Sequence, residues 1–336
     1  ATLNHSTSTG WKNTMREQLI YLSRDDVKEL LPEPLEMVTA LESIFRSRAN
    51  GQAHGKSKIG LYTNEGNFFF GLMACSEDLG YAICHNSMGT PPETTSQGHH
   101  HIQSIEILSD LKSAQPIALL DAHWLTTWLP ACVTAVAAKS LANKGSKVVG
   151  FIASGATARA SLSALCAVFQ IEEVVAYDSN SKSAESFINE AKIQGLIARC
   201  SSSPQEVVMN SDIVVTSVPN YPSLKPFLKP DWVRPGTFVS MIDLARSWEH
   251  GIEKFERIAT DDHDQVNSTF RDGRLKFGGP YDSDLTELVS GIKPGRDNQN
   301  QRSAIIHPGH AIGILALAAL VYERAHNAKK GLEIRR

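Results

Sequence analysis

From residue 147 onward the chain alternates short apolar runs with helix-length stretches. The runs are "KVVGFIA", "EVVAYD", "DIVVTSV", "GTFVSMID" and "ERIATDD". They are rich in β-branched residues and too short to be helices. Parallel strands need crossover connections, and helices between the runs supply them. The pattern therefore predicts an α/β fold built on a doubly wound parallel sheet. The first run leads into "SGATARA", and the chemistry of that turn decides which class of function the sheet serves.

A dinucleotide-binding turn reads G-x-G-x-x-G/A. Here the six positions are Ala153, Ser154, Gly155, Ala156, Thr157 and Ala158. Gly155 stands where bare backbone must approach a diphosphate. Ala158 is small enough to let the helix close on the strand. Ala153 replaces the glycine of the tight turn, which is tolerable at negative φ and costly at positive φ. The second run ends in Asp178, twenty residues beyond Ala158. An acid at that spacing binds the ribose hydroxyls. Ser179 follows it rather than an arginine, which favours NAD(H) over NADP(H). The helix N-terminus offers free N–H groups and positive potential to the phosphates. Ser217 and Val218, closing the third run, complete the expected cofactor set.

A net charge of −3 leaves no basic footprint for nucleic acid or an anionic membrane. The apolar stretch from Ala311 to Tyr322 is too short to span a bilayer. Five cysteines with no C-x-x-C pair predict a reducing, cytoplasmic setting. The Ser/Thr-rich residues 1–14 lack the apolar run of a secretory signal and read as a mobile arm. His99, His100 and His101 alternate in direction if extended, so three adjacent ligands on one metal are not expected. They read as a polar loop entering a strand.

Residues 15–124 predict a small α+β lobe. Ser23 and Asp26 form an N-cap pattern. A helix opening at Pro34 presents Leu35, Val38, Leu41, Ile44 and Phe45 on one face. "KIGLYT", "NFFFGLMAC", "GYAICH", "IQSIEILSD" and "PIALLDA" read as strands, with "NSMGTPPETTSQGHHH" as a loop. Leu125–Ala142 is an alanine-rich helix. The expected division is a substrate and dimerisation lobe over 15–124, a Rossmann domain over 125–305, and a C-terminal helix over 306–336 that returns to the first lobe.

With these pieces in place, the chain resembles the ornithine cyclodeaminase/μ-crystallin family from about Met15 to Gly331. The likeness is carried by "YLSRDDV", Met73-Ala74, "LLDAHWLTTWLPACVTAVAAKSLANKG", the turn above, "SMID", "SGIKPGR" and "AIGILALAALVYERA". It implies a homodimer built through the first lobe, a nicotinamide cofactor, and hydride exchange at a carbon bearing nitrogen and a carboxylate. It also implies an arginine that grips the carboxylate, a lysine near the reacting carbon and an aspartate at the nitrogen. The arginine position is Leu129, with Pro130 beside it, and the lysine position is assigned to Ala82. The last helix carries Ile314 where an aspartate is usual, and Lys58 replaces an earlier arginine. Asp243 remains as polar anchor or proton donor, with Lys58 and His85 as further catalytic candidates and Arg246 as a substrate contact. The expected function is an NAD(H)-dependent oxidoreductase acting at a C=N or C=O carbon of a small molecule. A cyclodeaminase-type ammonia-lyase with internally recycled NAD and a noncatalytic dinucleotide- and ligand-binding protein are the alternatives.

Overall fold

The structure is a computed structural model that describes residues 18–90, 102–220 and 223–335. The N-terminal arm and His99–His101 lie outside the described residues. The first lobe comprises β1 (Gln18–Leu22), α1 (Arg24–Leu30), α2 (Pro34–Ala49), β2 (Ala53–Gly55), β3 (Ile59–Tyr62), β4 (Phe68–Ser76), β5 (Tyr81–Gly89), β6 (Ile102–Asp110) and β7 (Pro116–Asp121). Ser23 and Asp26 cap α1 reciprocally, each side chain accepting from the other's backbone N–H. Helix α2 buries Met37, Val38, Leu41, Ile44 and Phe45, whereas Leu35, expected on that face, is 54% exposed. The buried stripe thus begins at Met37 rather than Leu35.

These strands form a mixed sheet in the order β2-β4-β5-β6-β7-β1, with β3 also pairing β4. The expected end of β5 at His85 is too early. Asn86, Ser87, Met88 and Gly89 pair on both sides, with β4 and with β6, so the ladder carries "NSMG" on as strand.

The second lobe follows α3 (His123–Leu141). It comprises β8 (Val148–Ile152), α4 (Ala156–Cys166), β9 (Glu173–Tyr177), α5 (Ser181–Ile193), β10 (Ile197–Cys200), α6 (Pro204–Asn210), β11 (Ile213–Thr216), β12 (Phe238–Met241), β13 (Arg257–Thr260), α7 (His263–Arg271), β14 (Ser283–Asp284), α8 (Leu285–Ser290) and β15 (Ser303–Ile306). Every pairing is parallel, in the order β10-β9-β8-β11-β12-β15-β13-β14. This is the doubly wound α/β sheet, standing beside a separate α+β lobe. Three of its strands, β10, β14 and β15, went unread in the sequence. β14 has two residues and β10 and β15 have four, too short for a period to single them out. Strand order reverses about β8, whose neighbours are β9 and β11. A crevice opens at the carboxyl ends of strands at such a switch point.

Helix α9 (Ala311–Ala328) packs on α2, α3, β4 and β5, and β16 (Leu332–Arg335) pairs with β1. Gly313 lets α9 approach α3, because a Cβ there would fall 2.6 Å from Leu129 Cδ1. In "SGIKPGR", Arg296 donates to the Leu141, Gly236 and Gln301 carbonyls. A guanidinium satisfies the C-terminal end of α3 and ties it to the parallel sheet. Among the described residues no helix is long and apolar enough to cross a membrane.

Candidate active site

Strand β8 ends in the turn that the sequence singles out. Ala153 adopts φ +74°, so the turn takes the left-handed conformation for which glycine is the usual residue. Gly155 is the N-cap of α4, with φ −79° and no side chain capping the helix. The first turn of a helix has N–H groups without intrahelical partners, and here none is satisfied by a capping side chain. A Cβ on Gly155 would meet nothing within 4 Å. The backbone is therefore bare and open on this side, as a diphosphate requires. Ala158 is fully buried.

The Asp178 carboxylate accepts from the Ser154 N–H at 2.7 Å and from the Asn180 N–H at 2.8 Å. It thus braces the turn through one oxygen while lone pairs remain for a diol. Arg159 binds Glu190 through Nε at 2.7 Å and also donates to the Ser154 carbonyl. Its charge is committed to holding the turn. Ser154 is buried, and its Oγ has no hydrogen-bond partner among the described residues.

Gly155, Ala156 and Thr157 face a cleft between the lobes that encloses about 560 Å³. Its other walls are Phe68, Phe70, Leu72, His85 and Ser87 from the first sheet, Leu129, Pro130 and Val133 from α3, and Ile242, His307 and Ile314. Lys58 also lines it. Its ammonium donates to the Pro308 carbonyl at 2.9 Å and lies 5.2 Å from the Phe70 ring centre. Burial, helped by the nearby Arg274 charge, lowers its pKa to about 8. Asp261 opposes that shift and is itself pushed up to about 8 by burial, while accepting from the Gly309 N–H at 2.7 Å.

His85 enters the cleft from β5. Its Nδ1 lies 3.2 Å from Oε1 of Glu106, the residue directly opposite it on β6. Both are buried, at 3% and 0% exposure. Burial raises the Glu106 pKa, and the His85 contact draws it back. His307, at the end of β15, faces the same cleft with Nε2 3.3 Å from Ser240 Oγ, which in turn meets Thr134 Oγ1 at 2.7 Å. Burial lowers the His307 pKa to about 3, so its ring is neutral.

Lys58, His85, Leu129, Gly155, Ala156, Thr157 and Ser217 are thus brought to one cleft. Other candidates are not. Ala82 lies an odd number of residues from His85 along β5. It therefore points to the opposite face, so the cleft-facing place is His85 itself. Asp243 is 2% exposed and lies behind the wall formed by its neighbour Ile242. It accepts from Thr216 Oγ1 at 2.9 Å and Ser247 Oγ at 2.5 Å, and burial raises its pKa. The turn after it holds Leu244 and Ala245 at φ +56° and +58°, and Arg246, which feels the Asp243 charge, does not line the cleft. Val218 packs into the second lobe's core instead of lining the cleft. Glu106 and His307 were not anticipated. Glu106 was visible as an acid inside the alternating strand "IQSIEILSD", but its partner depends on strand register.

The sequence pattern of the ornithine cyclodeaminase/mu-crystallin family matches residues 17–329. An alanine dehydrogenase of Archaeoglobus fulgidus is 31% identical over 329 residues, covering 95% of this chain and 98% of the relative. Among solved structures, an archaeal alanine dehydrogenase dimer with bound NAD superposes with a TM-score of 0.84 at 28% identity, covering 95% of this chain and 99% of the other. A Thermococcus litoralis Δ1-pyrroline-2-carboxylate reductase in complex with NADH and L-proline gives 0.85 at 26% identity, covering 94% and 100%. The turn at Gly155, the switch point at β8 and near-complete coverage by these relatives agree: the chain belongs to the ornithine cyclodeaminase/mu-crystallin family.

Proposed function

We propose that the chain is an NAD(H)-dependent oxidoreductase acting at a C=N or C=O carbon of a small molecule. One observation carries the proposal. The uncapped N-terminus of α4, with open space at Gly155, faces the same cleft as Lys58 and His85. The residues fit a dinucleotide: N–H groups of the Gly155–Ala158 turn for the diphosphate, and Asp178 for the adenosine ribose. A bound nicotinamide supplies or takes up hydride. Arg159 is tied to Glu190, and Ser179 rather than an arginine follows Asp178, which favours NAD(H).

The protein's own groups would divide the remaining work. Lys58 is the one lysine or arginine lining the cleft among the described residues. It would hold the carboxylate of an amino or imino acid, the kind of compound named for the relatives above, or another anionic group. Phe68, Phe70, Leu72, Leu129 and Ile314 would exclude water and take an apolar substrate body. Asp243 would act from behind, fixing Thr216 and Ser247 where β11 and β12 end. The exposed face of the first sheet carries Ile59, Leu61, Phe69, Met73, Met88 and Ile105, apolar residues suited to a second copy in a homodimer.

The apolar lining also favours a second reading, a dinucleotide-holding protein that binds an apolar ligand without turning it over. NADH and NADPH titrations of wild type and Asp178→Ala, followed by a screen of imines, ketones and cyclic amines, separate the readings. Net NADH oxidation supports the oxidoreductase. Product without net oxidation supports a cyclodeaminase, and tight ligand binding with neither supports the carrier. Unchanged NADH affinity in Asp178→Ala removes the ribose assignment.

A further inference from the structure

We infer that Glu106 and His85 form the proton relay of this cleft, with His85 Nε2 as the donor to substrate and Glu106 as its positioning residue. The inference rests on the proposed oxidoreductase reading and adds the group that handles the proton. Reduction of a C=N or C=O bond needs two partners. Carbon gains hydride from a reduced nicotinamide, which is oxidised. The π pair moves to nitrogen or oxygen and must form a bond to a proton. Without a donor the product is an amide or alkoxide anion in an apolar cleft, which is costly.

Three features point to His85 as the donor. First, it belongs to both environments. It lines the cleft beside Leu72, its cross-strand partner, while its Nδ1 edge meets Glu106, which does not line the cleft. Nε2 is the opposite ring edge and has no hydrogen-bond partner among the described residues. Second, the geometry is locked by the ladder. His85 and Glu106 are directly paired across β5 and β6, and His85 pairs with Leu72 on β4, so three adjacent strands fix the ring's place. Third, the pair is poorly explained as a device for stability. Glu106 is fully buried, and its Oε2 has no hydrogen-bond partner among the described residues. A buried carboxylate left half satisfied is destabilising relative to an apolar residue of similar volume. Asp121 of β7, the other acid acting on Glu106, is paired with Arg24 at 3.1 Å.

An ionised carboxylate only accepts hydrogen bonds. In its ionised form, which the His85 contact favours against burial, Glu106 keeps the proton of Nδ1 in place and leaves Nε2 as the site that loses and regains a proton. In the reducing direction the N–H bond at Nε2 breaks, the substrate heteroatom takes that proton, and the neutral ring is protonated again from solvent. In the oxidising direction the same nitrogen accepts.

The test uses the full chain with 15N-labelled histidine, and the His85 resonance is identified by its loss in His85→Gln. NADH affinity is measured on each sample. NADH oxidation is followed with Δ1-pyrroline-2-carboxylate, with pyruvate plus ammonia, and with phenylpyruvate plus ammonia. In wild type the neutral His85 ring should carry its proton on Nδ1. In Glu106→Gln, whose amide can donate to Nδ1, the proton should move to Nε2. Turnover should then fall by about tenfold or more, with NADH affinity and substrate KM within about twofold of wild type. Glu106→Asp should recover part of the rate and the Nδ1–H form. A wild-type ring protonated on Nε2, or turnover in Glu106→Gln within about twofold of wild type, overturns the relay. Should Glu106→Gln not fold, the wild-type ring and Glu106→Asp decide the matter. A wild type that binds no NADH, or binds it and oxidises it with none of the probes, defeats the oxidoreductase reading and the relay with it. That outcome is distinct from a relay failure, in which wild type turns over and the variant is unimpaired.

Discussion

The placement of a diphosphate against Gly155 can be tested by adding one methyl group. Gly155 has φ −79°, a value any residue adopts, and a Cβ would meet nothing within 4 Å. Alanine there should leave the fold nearly unchanged. It restricts the unfolded chain, a gain of about 0.4–1 kcal/mol, and is a poorer N-cap than glycine by a comparable amount. The net change in unfolding free energy should stay within about 0.5 kcal/mol. Binding should respond differently. The methyl projects into the space that the phosphate oxygens must enter to reach the N–H groups of the turn. Losing one charge-assisted hydrogen bond costs about 1.5–3 kcal/mol, which raises the Kd about 10- to 150-fold. Tryptophan quenching or calorimetry with NADH reads the affinity, and thermal unfolding reads the fold. Retained stability with NADH affinity within about threefold of wild type would refute the placement. A collapse of stability would instead show that the space at Gly155 is not open.

Two further predictions concern the frame around the site. Ala153→Gly should stabilise the protein by about 0.5–1 kcal/mol, because relief of the left-handed conformation at φ +74° outweighs the added freedom of the unfolded chain; urea unfolding reads this, and a loss of stability contradicts it. His307 is buried and neutral, with its pKa lowered to about 3, so the unfolded chain binds a proton near pH 6.5 that the folded chain refuses. Its contribution is therefore lost as pH falls below about 6.5. Relative to His307→Asn, wild type should lose about 1.4 kcal/mol per pH unit between pH 6 and 4, and parallel stability curves for the two proteins would sink the assignment.

The exceptions to sequence patterns mark where tertiary constraints act. Ala153 keeps a left-handed turn without glycine because β8, β9 and the Asp178 brace over-determine it. Leu244 and Ala245 do the same next to Asp243. Such strain persists only where surrounding packing holds it, and no local pattern announces it.

The sequence by itself determined the parallel sheet, the turn carrying Gly155, the acid that follows it and the family. Each of these rests on local periodicity or short fixed spacings, which a linear chain displays directly. Only the tertiary structure decided which polar groups share the cleft. Strand register set His85 against Glu106 and turned Ala82 to the other face, because side chains alternate and a shift of one residue reverses them. The path of the chain after β12 buried Asp243 behind Ile242, and the return of β15 brought His307 forward. Those placements join residues separated by up to hundreds of positions, and only the packed lobes fix such distances.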